Sequence, residues 1–239
     1  MTDLFRHVTD VTYFTQKGKT MTTTKAYKGL PMEGMIAKWY ARTTFKDLKR
    51  HKGMAKRLVE KIPERGKVLE IAPGPGYFSI ELAKLANYQI AGLDISKSFV
   101  EIARRNAEEA GLKIDFREGN ASAMPFKDNT FDFTFCQAAF KNFSAPVKAI
   151  AEMYRVLRPG GVSLISDLRR DASPEDIEGE IRGMGLGPVN QFMVRWTFNN
   201  MLLRSAYSVE EMQSMVAQTP FGQCRMDING VGFEVWLEK

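Results

Sequence analysis

From Val68 onward, short runs of aliphatic and aromatic residues alternate with stretches whose apolar positions recur every three or four residues. VLEI, residues 68–71, reads as a buried strand that runs into a Pro/Gly turn. The following helix begins near Tyr77, with Phe78, Leu82 and Leu85 on one face. YQIAGLDIS, residues 88–96, is a second strand ending in Asp94, and a helix from Lys97 to Ala110 is stopped by Gly111. LKIDFREGNASAMPF supplies a third strand and a loop that starts at Gly119. A fourth strand spans Phe131 to Cys136, and a helix over Lys148–Leu157 places Ile150, Met153, Tyr154 and Leu157 together. Arg158-Pro159-Gly160-Gly161 then breaks the chain before a fifth strand, VSLISDL. This alternation predicts an α/β fold, with parallel strands and helices on both faces.

The flanks are less regular. Residues 1 to about 30 have neither period and suggest an arm or lid that orders on binding. From Pro31 to Lys61 two amphipathic helices are predicted, carrying Met35, Ile36, Trp39 and Tyr40, then Met54, Leu58 and Val59; Trp39 and Tyr40 are expected in the core, with closure over a bound cofactor as the alternative. These elements, residues 1–64, precede a main domain over 65–239. Arg169 to Tyr207 is too long for a simple connection and reads as an inserted cap, with Ser173 as an N-cap before Pro174. Its Met184, Leu186, Phe192, Met193, Trp196, Phe198, Met201 and Leu202 suit either a pocket wall or a surface covered by the sheet or a second subunit. A helix over Ser208–Gln218 and a hairpin at Asn229-Gly230 close the chain.

Chemistry gathers at the strand ends. Gly74 and Gly76 let the backbone take positive φ or approach a ligand, and the amides of the next helix favour electron-rich oxygens. Asp94, 20 residues past Gly74, stands where a carboxylate grips a ribose diol. Ligands of open α/β sheets bind beyond the carboxyl ends of the strands, where Gly74, Asp94, Asn120 and Gln137 converge. Two ligands fit, a dinucleotide or S-adenosylmethionine.

Charge and cysteines narrow the setting. The net charge of +6 is concentrated in the first 67 residues, which hold 16 Lys and Arg against 6 Asp and Glu. That excess attracts an anionic substrate, a nucleic acid or a membrane surface; a solvated helix face is the favoured reading, with neither membrane nor nucleic acid as partner. Cys136 and Cys224 form no metal-binding or disulfide pattern, no metal is expected, and no apolar run reaches the roughly 20 residues of a membrane span, so the expected compartment is the cytoplasm.

Together VLEIAPGPG, GLDIS, EGNASAMPF, FDFTFCQAAF and LRPGGVSLIS, over about residues 65–168, resemble the class I S-adenosylmethionine-dependent methyltransferases, in particular the small-molecule enzymes with the LxPGG turn. The resemblance implies a Rossmann-like sheet of seven strands, mostly parallel, with an antiparallel last strand. It implies that Glu70 and the loop Ala72 to Gly76 hold the methionine end, Asp94 the ribose, and Ile95 a face of the adenine. Asn120 and Ala121 would meet the adenine edge, and Cys136 and Gln137 would border the methyl group. Ala72 replaces the family's first glycine, tolerable at negative φ, and Asn120 replaces the usual Asp as an amide that can still accept from the adenine amine.

The expected activity is methyl transfer to a small molecule. No catalytic residue is assigned: neither His7 nor His51 has a clear place, and Tyr40, Lys141, Asn142 and Arg169 are candidates for lining the acceptor site. A nucleic-acid methyltransferase is the runner-up, weakened by CQAAFKNF in place of an Asn/Asp-Pro-Pro-aromatic motif. A nicotinamide-dependent oxidoreductase ranks lower, lacking the third glycine and a Tyr-xxx-Lys set.

Overall fold

The computed structural model describes residues 27–28, 32–44 and 48–239, so most of the arm, including His7, lies outside the described residues. The strands are β1 (Lys67–Ile71), β2 (Gln89–Asp94), β3 (Asp115–Glu118), β4 (Phe131–Gln137), β5 (Leu157–Leu168), β6 (Arg225–Asn229) and β7 (Gly232–Glu238). They form one sheet in the order β3-β2-β1-β4-β5-β7-β6. β1 pairs in parallel with β2 and β4, β2 with β3, and β4 with β5, whereas β7 runs antiparallel to both β5 and β6. The strand order reverses at β1, which opens a crevice between the ends of β1 and β4.

The period of two along the central strands divides their side chains between two cores. Val68, Phe133, Phe135, Leu164 and Trp236 lie on one face with Leu58, Phe78 and Leu82. Leu69, Ile71, Cys136, Ile165 and Val235 lie on the other with Ile150, Met153, Met212 and Val216. Helices α1 (Gly34–Thr44), α2 (Leu48–Val59), α3 (Tyr77–Ala83), α4 (Lys97–Glu109) and α5 (Pro146–Val156) flank the sheet, and Val209–Ala217 forms the last helix. The cap folds as α6 (Pro174–Gly183) and α7 (Pro188–Thr197), then a π-helical turn over Phe198–Leu202. Ser173 caps α6 in a reciprocal capping box with Asp176, and Pro174 takes the first position.

Two expectations fail in the N-terminal helices and the glycine loop. α1 buries only Ala37 and Ala41 and turns Tyr40 onto Phe99 of α4, which leaves Met35 and Trp39 at the surface. Ala72 has φ +56°, in the left-handed region, so the tolerance expected of an alanine there is met at a strained rather than a relaxed conformation.

Candidate active site

The loop after β1 is organised by two buried carboxylates. Glu70 at the end of β1 accepts the Ser79 N–H at 3.1 Å and the Ser79 hydroxyl on the same oxygen. Burial pushes its carboxyl up to about 7, although both bonds from Ser79 favour the ion. Asp94 at the end of β2 accepts the Gly74 N–H on Oδ2 and the Ser96 N–H on Oδ1, each at 2.9 Å. Its carboxyl is pushed up to about 6, first by burial and further by Glu33, against the backbone N–H groups of Ser96, Gly74 and Ile95. Two of its four lone-pair directions are taken, leaving acceptors for hydroxyl donors. Gly74 has φ +54°, and a Cβ there would meet nothing within 4 Å, so the missing side chain widens the cavity. Gly76 (φ +78°) serves packing instead: a Cβ would lie 2.8 Å from Phe116 Cζ and 3.0 Å from Ala103 Cβ.

Ile95 is partly exposed and lines the same cavity, as do Asn120 and Ala121 beyond β3. Asn120 Oδ1 accepts both the Ser122 N–H and the Ser122 hydroxyl at 2.9 Å. A backbone N–H can only donate, so the oxygen is fixed at Ser122, and Asn120 offers a ligand its amide N–H groups. The expectation that Asn120 accepts from a ring amine is thus corrected, because both lone pairs are used locally.

At the end of β4, Cys136 is fully buried, is absent from the cavity wall and has its thiol pushed well up by burial, so it is a core residue. Gln137 does line the cavity, and its buried Nε2 has no hydrogen-bond partner among the described residues. Ala138 follows with φ +55°. Its carbonyl accepts from Lys141 Nζ at 2.8 Å, and Lys141 Nζ also donates to Asp167 Oδ1 at 2.8 Å. The other Asp167 oxygen takes the Lys141 N–H at 3.0 Å. This buried pair lies on the cavity wall, and Lys141 Nζ keeps one of its three N–H donors. Asn142 lines the cavity, and its carbonyl accepts from Lys28 N at 2.7 Å. Arg169 is not brought there. Its guanidinium holds the cap through the carbonyls of Gly230 and Asp171 and, at 2.6 Å, Asp176.

The opposite wall comes from the N-terminal helices and the cap. Tyr40 lines the cavity and stacks edge-on against Phe99, with centroids 5.7 Å apart. Met184, Phe198, Met201 and Leu202 supply an apolar cap wall, whereas Phe192, Met193 and Trp196 do not reach the cavity. The sequence reading missed His51 and Asp167, which also line it. His51 lay in a basic run that reads as surface, and no local signal turns it inward. The cavity is about 1380 Å³, larger than the about 300–1,000 Å³ that suits one small ligand. It has room for a cofactor and an acceptor.

Comparison with known proteins shows what the strands around this crevice are similar to. Residues 69–165 match the methyltransferase-domain family (Methyltransf_11). Over these residues, from β1 through most of β5, the chain is similar to methyltransferase domains. A demethylmenaquinone methyltransferase of Thermus thermophilus is 40% identical over 104 residues, covering 43% of this chain and 46% of that protein. A ubiquinone/menaquinone biosynthesis C-methyltransferase UbiE of Roseobacter denitrificans is 36% identical over 111 residues, 45% of this chain and 44% of its own length. The chain thus aligns with about half the length of the curated relatives it matches. A putative S-adenosyl-L-methionine-dependent methyltransferase from Methanococcus maripaludis shares the fold, with a TM-score of 0.70 at 22% identity over 93% of this chain and 97% of that one. The matched segment holds the ends of β1, β2 and β4, and the flanking helices and cap complete the cavity. No described helix is long and apolar enough to cross a membrane, and no group of residues able to hold a metal occurs among the described residues.

Proposed function

We propose that this chain transfers a methyl group from S-adenosylmethionine to a small-molecule acceptor. One observation carries the reading. Glu70 and Asp94 are buried carboxylates at the floor of one cavity, with pKa values raised to about 7 and about 6 by that burial. A site of this kind gains most from a ligand that is cationic and rich in hydroxyl donors, which restores both ions. The cofactor is S-adenosylmethionine, which supplies an electrophilic methyl group on a sulfonium.

Glu70 and the loop 72–76 hold its methionine end, with Ala72 and Gly74 shaping the cradle and Gly76 locking the turn from beneath. Asp94 takes the ribose hydroxyls and Ile95 covers the adenine. Ala121 lies at the adenine edge, where Asn120 donates an N–H to a ring nitrogen. Cys136 sets the strand end beneath the transfer position, and Gln137 lends its unpartnered amide there.

The acceptor lies between Tyr40, Asn142 and the cap, beside Lys141. An ammonium with one spare N–H, set among apolar walls, suits a flat apolar molecule with an acidic hydroxyl. Lys141 holds the oxygen as its anion, which raises electron density on the acceptor. His51 is the wall's candidate for taking the acceptor's proton. The chain's residues thereby align the acceptor and exclude water, the larger share of what methyl transfer requires. The cysteines, both free, agree with a reducing, cytoplasmic setting.

The test incubates the purified protein with methyl-labelled S-adenosylmethionine and a panel of phenols, quinols, amines and thiols, with RNA and NADH as separate arms. Label in an acidic-hydroxyl acceptor, lost in Lys141→Met, supports the reading. Label entering RNA alone, or hydride transfer from NADH, overturns it.

A further inference from the structure

Helix α7 presents its apolar stripe to solvent. Val189, Phe192, Met193 and Trp196 follow the i, i+3, i+4, i+7 spacing of one helical face. They are 75%, 66%, 61% and 55% exposed, and no residue of α7 is buried. The helix is fixed through its other side. Arg195 donates to Glu178 at 2.7 Å, Gln191 donates to the Leu186 carbonyl at 2.7 Å, and Val194 packs on the Ile177 and Ile181 cluster. The orientation is therefore held, not frayed.

A second outward apolar face is carried by α1. On α1, Met35 and Trp39 are exposed beside exposed Lys38 and Arg42. Tyr40 from α1 and Phe198, Met201 and Leu202 from the turn after α7 all line the cavity, so both helices continue directly into its wall. The helices themselves carry one sign of charge: α1 and α2 hold Lys38, Arg42, Lys49, Arg50, Lys52, Lys56 and Arg57 and no Asp or Glu, with Arg57 paired to Glu234 and the four lysines exposed. Large exposed apolar patches mark interaction sites. Aromatic and aliphatic residues beside Lys and Arg are the composition of a helix that lies in a membrane interface.

We propose that these two faces dock the chain on a bilayer surface rich in anionic lipid. The stripe of α7 and Trp39 enters the headgroup region, and the cations of α1 and α2 face the lipid phosphates. The cavity mouth then opens toward the bilayer, and an apolar acceptor reaches Lys141 without crossing water. That last step rests on the methyltransferase reading; the docking itself does not. Lying on a bilayer needs no spanning helix. A second copy of the chain is the poorer occupant, because it would bring two fronts with an excess of cations together, while anionic lipid neutralises them.

The test is flotation of the full chain with phosphatidylcholine vesicles, with and without phosphatidylglycerol, at low and high salt. The wild type is expected to float with the anionic vesicles, less with phosphatidylcholine alone, and less again at high salt. Phe192→Ser/Trp196→Ser should lower partitioning about tenfold or more, through lost apolar burial. Lys49→Gln/Lys52→Gln/Lys56→Gln should abolish the preference for anionic lipid. None of these five residues lines the cavity, so both variants should bind S-adenosylmethionine as the wild type does. Wild-type partitioning no better than that of the variants overturns the docking, as does a dimer that Phe192→Ser/Trp196→Ser turns into a monomer. Failure of every form to bind S-adenosylmethionine would strike the methyltransferase reading and leave the docking result standing.

Discussion

The ends of β1 and β2 and the cap over residues 169–207 wall one cavity by opposite means. At the strand ends the polar groups are buried and tied together: Glu70 to Ser79, and Asp94 to both Gly74 and Ser96. In the cap, α7 buries nothing, and the cavity is met by Met184, Met201, Phe198 and Leu202. The first wall cannot repack without orphaning a buried group, whereas the second is made of side chains that adapt at little cost. The rigid wall suits a cofactor of fixed shape, and the adaptable wall suits selection of the acceptor.

The largest effect should come where the two walls meet. Lys141→Met leaves Asp167 as a buried ion without its partner, and the expected loss is about 3–5 kcal/mol in denaturant unfolding. Lys141→Met/Asp167→Leu should recover most of that stability but not methyl transfer. Full activity in the double variant would remove Lys141 from the acceptor site.

Gly76→Ala sets the rigid wall against the adaptable one. A left-handed φ of +78° and a Cβ 2.8 Å from Phe116 predict a loss of about 2–3 kcal/mol. A modest loss would mean that the loop yields and the proposed contrast is overstated.

The buried carboxylates give that wall a pH signature, on the order of 3 kcal/mol for Glu70. With its carboxyl raised from 4.5 to about 7, folding without cofactor keeps the stabilisation below about pH 4.5 and loses it as pH rises through 7. Asp94, raised to about 6, acts in the same direction. Glu33 and Glu152, both lowered, oppose it at more acid pH. Melting curves between pH 5 and 8 should therefore fall more steeply for the wild type than for Glu70→Gln; parallel curves would contradict the burial of Glu70 as an acid.

The smallest effect belongs to the cap. Gly179→Ala adds a methyl group where nothing lies within 4 Å, inside α6, and should stabilise by about 0.5–1 kcal/mol. A destabilisation, read by the same unfolding curves, would mean that the cap surface is more tightly fitted than its exposure indicates.

The same contrast explains what the sequence could reveal. The strand ends were legible because their signals are local: a Pro/Gly loop after an aliphatic run, and Asp94 at a fixed distance beyond it. The two alanines at positive φ, Ala72 and Ala138, carry no such signal, because surrounding structure imposes their conformation. Asn120 kept its place but changed its role, since the sequence gives no sign that Ser122 claims its oxygen. In α1 and α7 the period of 3.6 finds the apolar stripe yet cannot say which way it faces. Trp39 and Trp196 therefore read as core or pocket residues and are exposed. Arg169 looked like a strand-end ligand because its bonds to Gly230 and Asp176 span turns that only the folded chain closes.

The most direct measurement is calorimetric titration of the wild type and Asp94→Ala with S-adenosylmethionine and its demethylated product, with NADH as control. Micromolar binding of that pair is expected, weakened by roughly 1–3 kcal/mol when the Asp94 carboxylate is removed. No heat with either ligand, or binding of NADH alone, would contradict it.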